Sequence, residues 1–105
     1  MDTIWYVTIV AEQIAIDSYV LEVLMRDLVA HDHSPSGFLV YLHLLAASRR
    51  LRVRASYQAI AEATGLSKSA VQGAVRGLVA RELLQVKKTS PTATPEYRVM
   101  RPWRR

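Results

Sequence analysis

The sequence predicts a mainly helical α+β domain that ends in a small β-hairpin. Apolar residues recur at spacings of three and four in several serine-capped segments, which indicates helices. Other short segments alternate between apolar and polar residues, and a loop with two prolines separates the last two of them. With 105 residues, half of them hydrophobic, the chain can bury one modest core. We therefore expect one folded domain over residues 31–105, preceded by an N-terminal extension over residues 1–30.

The first helix of this domain is predicted over about residues 35–48. Ser34 suits the N-cap position, and Pro35 suits the first helical position, where a missing backbone N–H has no cost. Apolar residues then recur at helical spacing, namely Phe38, Tyr41, Leu42 and Leu45. The next segment, LRVRASY, alternates apolar residues with Arg52 and Arg54, which indicates a short strand with one basic face.

Two more helices and a hairpin follow this strand. Ser56 caps the short segment YQAIAEAT, and Gly65 ends it because glycine enters a left-handed turn without steric cost. Ser67 then begins a longer helix that we expect to end at about Glu82. The segments LLQVKK and EYRVM predict two strands joined by the loop TSPTATP. In this hairpin one face carries Leu84 and Val86 opposite Tyr97 and Val99, and the outward residues are Gln85, Lys87 and Arg98.

Two segments of the sequence contain the key positions of this order of elements: IAEATGLSKSAVQGAVRGLVARELL and, after it, PEYRV. The packing and turn positions are Ile60, Ala61, Gly65, Leu66, Val71, Val75 and Leu78. Residues from about 34 to 103 thereby resemble the winged helix-turn-helix family of bacterial transcription regulators, broadly of the MarR and GntR kind. The resemblance covers about two-thirds of the chain. It implies a DNA-binding domain with a recognition helix at about 67–82 and a wing at about 86–98.

The faces of the 67–82 helix follow from its periodicity. At about 100° per residue, one stripe faces the core and comprises Val71, Val75, Leu78 and Val79. The opposite face comprises Ser69, Gly73, Arg76, Gly77 and Ala80. Each glycine inside a helix costs about 1 kcal/mol relative to alanine, but a face without side chains lets another surface approach closely. That surface is the DNA major groove or a neighbouring protein helix, and simple tolerance of the glycines is a third explanation.

The start of the same helix is a candidate phosphate site. Exposed N–H groups and the helix dipole attract anions there, and Ser67, Lys68 and Ser69 add donors. Gln72 can pair with adenine and Arg76 with guanine. The alternative for Lys68 and Arg76 is an ordinary solvated face. Related regulators often carry long polar side chains where this chain has glycines, so we expect few base-specific contacts, with Gly73 allowing close approach.

Further candidate DNA contacts lie in the strands. Lys87 and Lys88 lead into the hairpin loop, where we expect them to touch the DNA backbone or minor groove. The alternative is that they protect a sheet edge from aggregation. Arg52 and Arg54, on the basic face of the first strand, complete the set. The tail RPWRR adds arginines around Trp103, which we expect to cover the core rather than stack on a base.

The formal net charge of +5 is divided unevenly along the chain. Through Ser48 there is one basic residue against six acidic ones, whereas from Arg49 onward there are thirteen basic residues against three acidic ones. A basic C-terminal portion attracts a polyanion such as DNA, and an acidic N-terminal portion is repelled by it. The alternative is that the surplus of Lys and Arg only maintains solubility.

The composition argues against several other classes of protein. No cysteine is present, which removes disulfide scaffolds, Cys-ligated zinc and thiol catalysis and suits a cytoplasmic location. The apolar start MDTIWYVTIVAEQ lacks a basic flank and is too short for a membrane span, so we expect no membrane partner. His31, Asp32 and His33 are too few and too closely spaced for a metal site. Because motifs for a catalytic serine or a phosphate loop are also absent, we expect no enzyme activity and no cofactor.

The N-terminal extension admits more than one prediction. Residues 4–10 are rich in β-branched and aromatic side chains and fit a strand. Residues 14–28 fit a helix with one stripe, whereas 19–24 also fit a strand; the stripe comprises Ile14, Asp17, Val20, Leu21, Leu24 and Leu28. Because this segment holds more apolar surface than a small domain can cover, we expect it to form a homodimer interface. The alternative is packing within the chain against the 35–48 helix.

These features predict a dimeric, sequence-dependent binder of double-stranded DNA that regulates transcription. Two alternatives remain at this stage. One is a protein-interaction module of the same fold that uses the bare helix face, and the other is a DNA-binding domain of a plasmid or phage replication initiator. The sequence gives no indication of an effector ligand.

Overall fold

Four helices and a three-stranded antiparallel sheet make up residues 13–104, the part of the chain that this computed structural model describes. Helix α1 spans residues 18–31 and includes two π-helical stretches, Val20–Leu24 and Asp27–His31. The other helices are α2 (Pro35–Ala47), α3 (Tyr57–Thr64) and α4 (Lys68–Ala80). The strands are β1 (Arg52–Arg54), β2 (Leu84–Lys87) and β3 (Glu96–Val99). The predicted α+β class is confirmed.

The helix boundaries are set by local hydrogen bonds that the sequence predicted. The hydroxyls of Ser34, Ser56 and Ser67 each accept the backbone N–H three residues further on, at 3.0 Å. Gly65 ends α3 in the left-handed conformation, with φ of 80°. The predicted end of α4 at Glu82 is wrong by two residues. Glu82 has φ of 60°, so the helix cannot continue through it.

The sheet has the strand order β1-β3-β2, with β3 in the centre. Leu84 pairs with Val99 and Val86 pairs with Tyr97, so these residues lie opposite one another, as the sequence predicted. Leu84, Tyr97 and Val99 are buried, but Val86 is 42% exposed. The prediction that Val86 is covered is wrong because β2 is an edge strand and Val86 lies close to the hairpin loop.

The core lies between α1, α2, α3, α4 and the inner face of the sheet. On α4, Val71, Val75 and Leu78 are buried as predicted, and Ala74 joins them. Val79 is 41% exposed, so its assignment to the core stripe is wrong. Val79 follows Val71 by eight residues, which is two full helical turns plus about 80°. It therefore lies at the edge of the buried stripe.

Helix formation over residues 18–31 confirms the helical prediction for the extension and excludes a strand over 19–24. Val20, Leu24 and Leu28 are buried and α1 packs against α2, so the apolar stripe is partly covered within the chain. Ile14 and Leu21 were predicted in the same stripe but are exposed. Leu21 is one residue off the buried line of i, i+4, i+8 positions, and Ile14 precedes the first residue of α1. The predicted strand over 4–10 lies outside the described residues.

The C-terminal tail closes over the start of α1. The Trp103 ring stacks on Tyr19 with centroids 4.6 Å apart and meets the edge of Tyr41 at 6.4 Å. Its indole N–H donates to Asp17 Oδ2 at 2.8 Å, and the Arg104 guanidinium also binds this carboxylate. Trp103 therefore covers the core, as the sequence predicted.

Candidate nucleic-acid interface

The outer face of α4 is open to solvent. All five residues that the sequence placed on it are exposed, namely Ser69, Gly73, Arg76, Gly77 and Ala80. A β-carbon added at Gly73 or Gly77 would meet no described atom within 4 Å beyond the helix itself. Within residues 13–104, therefore, no part of the chain occupies the surface that the glycines leave bare.

Three polar side chains run along one side of α4. Lys68, Gln72 and Arg76 are four residues apart, so each lies about 6 Å further along the helix axis than the one before. All three are exposed, and within the described residues their side chains form neither a hydrogen bond nor an ion pair. Ser67 uses its oxygen to cap the helix, but its hydroxyl hydrogen can still be donated. This row can therefore present an ammonium, an amide and a guanidinium to one ligand.

The hairpin loop faces the start of this row. Lys68 and Lys88 line the same groove, which is bounded by α3 on one side and by loop residues 91–95 on the other. The Lys88 ammonium donates to the Pro91 carbonyl at 3.4 Å, which holds the lysine over the loop. Two further polar side chains, Tyr57 and Gln58, line the groove and were not predicted. Their position directly after the Ser56 cap was the signal that could have identified them.

The remaining predicted contacts lie on the outer face of the sheet, away from this groove. The strand register aligns Arg52 with Arg98 and Gln85 in one row, and aligns Arg54 with Glu96 and Lys87 in the next. The second row adjoins the hairpin loop, and the first lies two residues further from it. Arg54 and Lys87 line a groove with loop residues, whereas Arg52 does not. The structure thus separates Arg52 from Lys68 and Lys88.

Several basic residues of the C-terminal portion are bound by acidic residues of the N-terminal portion. Arg81 follows the last residue of α4. Its guanidinium donates to both carboxylate oxygens of Asp32 and to one carboxylate oxygen of Asp27, each at 3.0 Å. Arg104 and Arg101 both lie against Asp17. The Arg104 hydrogen bond, followed by that of Trp103, lowers the pKa of Asp17 to about 2. The charge division along the chain therefore also holds the two portions together.

The segment His31–His33 takes part in this ion-pair network. His31 Nδ1 lies 2.9 Å from Asp32 Oδ1, and the other contacts of Asp32 are with Arg81. His31 is in the last turn of α1 rather than in a loop. In the described part of the chain, no group of three or more His, Cys, Asp or Glu side chains is placed to hold a metal ion. Asp32 has a structural partner in Arg81.

None of the helices within residues 13–104 is long and apolar enough to cross a membrane. Comparison with known proteins adds no relative: no protein family, no curated protein and no solved structure matches the chain.

Proposed function

We propose that this chain is a winged helix-turn-helix protein that binds double-stranded DNA and regulates transcription. The arrangement that supports this fold is the succession α2, β1, α3, α4, β2 and β3 with β3 between the other two strands. A tight turn at Gly65 separates α3 from α4. In such a domain α4 enters the major groove and the hairpin loop lies on the flanking backbone.

One observation carries the proposal: among residues 13–104, nothing covers the outer face of α4 or pairs with the polar side chains of Lys68, Gln72 and Arg76 beside it. The major groove is about 12 Å wide and admits an α-helix. Gln72 can bind adenine and Arg76 can bind guanine through paired hydrogen bonds. Lys68 and Lys88 line one groove, and in this proposal both bind backbone phosphates there. Because Gly73 and Gly77 provide no side chain, sequence discrimination rests on few contacts.

The protein acts as a homodimer in this proposal, and an exposed apolar row of α1, next to its buried side, forms the interface. Leu21, Met25 and Val29 are spaced four residues apart and are 48%, 41% and 38% exposed. An exposed apolar row of this kind is typical of an interaction surface. Two copies related by a twofold axis would present two α4 helices to a twofold-symmetric DNA site. The lack of cysteine suits the reducing cytoplasm in which such a regulator works.

The salt dependence of duplex binding tests the DNA proposal. If each protomer contacts about 4 phosphates, log K should fall with log salt at a slope near −3.6 per protomer. Fluorescence anisotropy of a labelled duplex measures this slope. The double variant Lys68→Gln/Arg76→Gln should bind at least about tenfold more weakly and with a shallower slope. Arg26→Gln, which removes one exposed charge from α1, is the control and should change neither quantity. A slope near zero for the unmodified protein would contradict the proposal.

Substitution of Gly77 by arginine separates DNA binding from a protein-interaction role. A β-carbon at position 77 meets no described atom within 4 Å beyond the helix itself, so the fold should tolerate the substitution. If the outer face meets DNA, an added cation should leave binding unchanged or strengthen it. If that face packs against a protein helix, partner binding or self-association should be lost, because the arginine would block the close approach. Duplex affinity and molar mass in solution, measured on the same preparation, distinguish the two outcomes.

A further inference from the structure

An unusual turn precedes β1. The backbone N–H groups of Arg49 and Arg52 each donate to the other residue's carbonyl, at 2.9 and 3.1 Å. The two residues between them, Arg50 and Leu51, both have left-handed backbones, with φ of 53° and 66°. Two-residue turns with positive φ at both central positions strongly favour Asn-Gly, because other side chains are strained there. This chain instead has an arginine and a leucine.

The turn brings four arginines together. Arg49, Arg50, Arg52 and Arg98 line one pocket, which we call the four-arginine cluster. Arg52 lies directly across from Arg98 in the sheet, and Arg49 lies directly across from Arg52 in the turn. Directly opposed residues are about 5 Å apart, and like charges at that distance destabilise a sheet. The arrangement therefore has an electrostatic cost in addition to the backbone strain.

One carboxylate, that of Glu96, lines a groove with Arg52 and Arg98, but within residues 13–104 it forms no ion pair with either arginine. All four arginines are exposed, and their guanidinium groups have neither an ion pair nor a side-chain hydrogen bond with any described residue. Leu51 packs against the core, which accounts for its place in the turn. No packing accounts for the arginines. Anionic groups from a ligand would remove the repulsion and use the donors.

The cluster is separate from the proposed α4 site. It lies at the end of the sheet away from the hairpin loop, and none of its members lines the groove between Lys68 and Lys88. The outer sheet face and the outer face of α4 both point away from the same core. Bridging of two duplexes requires that a straight duplex seated on α4 leave the four-arginine cluster free.

We propose that the four-arginine cluster binds the phosphate backbone of a second DNA duplex, so that one protein bridges two duplex segments. This inference rests on the proposed function, since the first duplex occupies α4. Arginine pairs with phosphate through two parallel hydrogen bonds, so guanidinium groups that line one pocket suit the phosphates of one backbone. The outward residues of the sheet include no aromatic ring on which unpaired bases could stack, which favours duplex over single-stranded nucleic acid. Contact with phosphates alone makes this binding independent of sequence.

A bridging assay tests the proposal. One duplex of about 20 base pairs is fixed to beads and a second, fluorescent duplex is free in solution at about 50 mM salt; both are far shorter than the ~150 base-pair persistence length, so neither can bend around the protein. The unmodified protein should carry the fluorescent duplex to the beads. Arg50→Asn/Arg98→Gln should remain on the beads to the same extent but carry at least about tenfold less fluorescent duplex. Asparagine suits the left-handed position, so the turn should persist in this variant.

The controls separate the two sites. Arg26→Gln, which removes one exposed charge outside the four-arginine cluster and outside α4, should bridge normally. If the double variant bridges as well as the unmodified protein, bridging comes from the two α4 helices of a dimer and the cluster proposal is wrong. The proposal also fails if no fluorescent duplex is captured, or if the arginines prove necessary for binding anionic vesicles and not for bridging. Failure of the α4 site has a different signature, because the unmodified protein would then bind the bead duplex no better than Lys68→Gln/Arg76→Gln.

Discussion

Two buried tyrosines differ in whether the hydroxyl has a hydrogen-bond partner. Tyr41 donates to the Met100 carbonyl at 2.9 Å, joining α2 to the end of β3. The Tyr97 hydroxyl is buried with no hydrogen-bond partner among residues 13–104. Burial raises the pKa of both phenols, that of Tyr97 to about 12. An unpaired buried hydroxyl opposes folding, whereas a paired one stabilises it.

Replacement of each tyrosine by phenylalanine should therefore have different effects. Tyr41→Phe should lower the free energy of unfolding by about 1 kcal/mol, because the Met100 carbonyl loses its donor. Tyr97→Phe should leave the free energy unchanged or raise it. Urea denaturation of the two variants and the unmodified protein makes the comparison. A loss in Tyr97→Phe as large as that in Tyr41→Phe would show that the Tyr97 hydroxyl has a partner.

The Asp17 carboxylate predicts a pH dependence. Its folded-state pKa is lowered from 3.8 to about 2 by Arg104, Trp103 and Arg101. A lowered folded-state pKa stabilises the protein above the unfolded-state value and stops doing so as pH falls through the folded-state value. This contribution should therefore be complete above about pH 4 and be lost between about pH 4 and pH 2.

Asp17→Asn tests this assignment. The variant should show a smaller decrease in Tm than the unmodified protein between about pH 4 and pH 2, because one acid group no longer titrates. Circular dichroism melts across this range provide the measurement. Identical pH profiles for the two proteins would show that the link between Asp17 and the tail does not contribute to stability.

At the scale of single elements, α4 combines regular capping with two solvent-facing glycines. The Ser67 cap and the buried stripe of Val71, Val75 and Leu78 explain why the segment is helical. The two glycines do not stabilise the helix. If they are retained for close approach of a ligand, the helix is less stable than its length and capping permit.

Glycine-to-alanine substitutions measure this effect. Gly73→Ala should raise the free energy of unfolding by about 1 kcal/mol, because the new methyl group has open space and alanine is the better helix former. Gly65→Ala is the matched comparison and should lower it by about 1–2 kcal/mol, because φ of 80° strains any side chain. Denaturant titrations report both changes. A destabilised Gly73→Ala variant would mean that part of the protein already occupies the outer face.

At the scale of the whole molecule, α1 has two apolar sides. Val20, Leu24 and Leu28 are buried in the core, and Leu21, Met25 and Val29 are exposed on the side away from it. Packing within the chain and dimerisation are therefore compatible uses of the same helix. Arg81 connects this helix to the end of α4 through Asp27 and Asp32, so a dimer formed by α1 would fix the relative positions of its two α4 helices.

Charged residues on the exposed side of α1 should prevent dimerisation without unfolding the chain. Leu21→Glu/Met25→Glu should have the molar mass of a monomer in sedimentation equilibrium and a far-ultraviolet spectrum like that of the unmodified protein. Val86→Glu changes an equally exposed apolar residue far along the chain from α1, and its mass should be unaffected. A dimer that persists in the double variant would place the interface elsewhere.

Much of the fold could be predicted from sequence because its signals are local. A serine cap acts three residues away, a left-handed turn requires one glycine, and apolar periodicity spans a few turns of helix. The candidate contacts on α4 were identified for the same reason, since they share one short helix. The predictions were wrong for Val79 and Val86, which lie at the edge of a buried face. Burial of such a residue depends on how far the neighbouring elements extend over it.

The relations between distant residues needed the folded chain. Arg104 meets Asp17 across 87 positions, and Arg81 meets Asp32 across 49, so basic residues that the composition offered to DNA form ion pairs within the protein. Strand register likewise placed Arg52 with Arg98 on the sheet and left Lys68 with Lys88 beside α4. Composition and periodicity describe one stretch at a time, whereas these contacts depend on the path of the backbone between stretches.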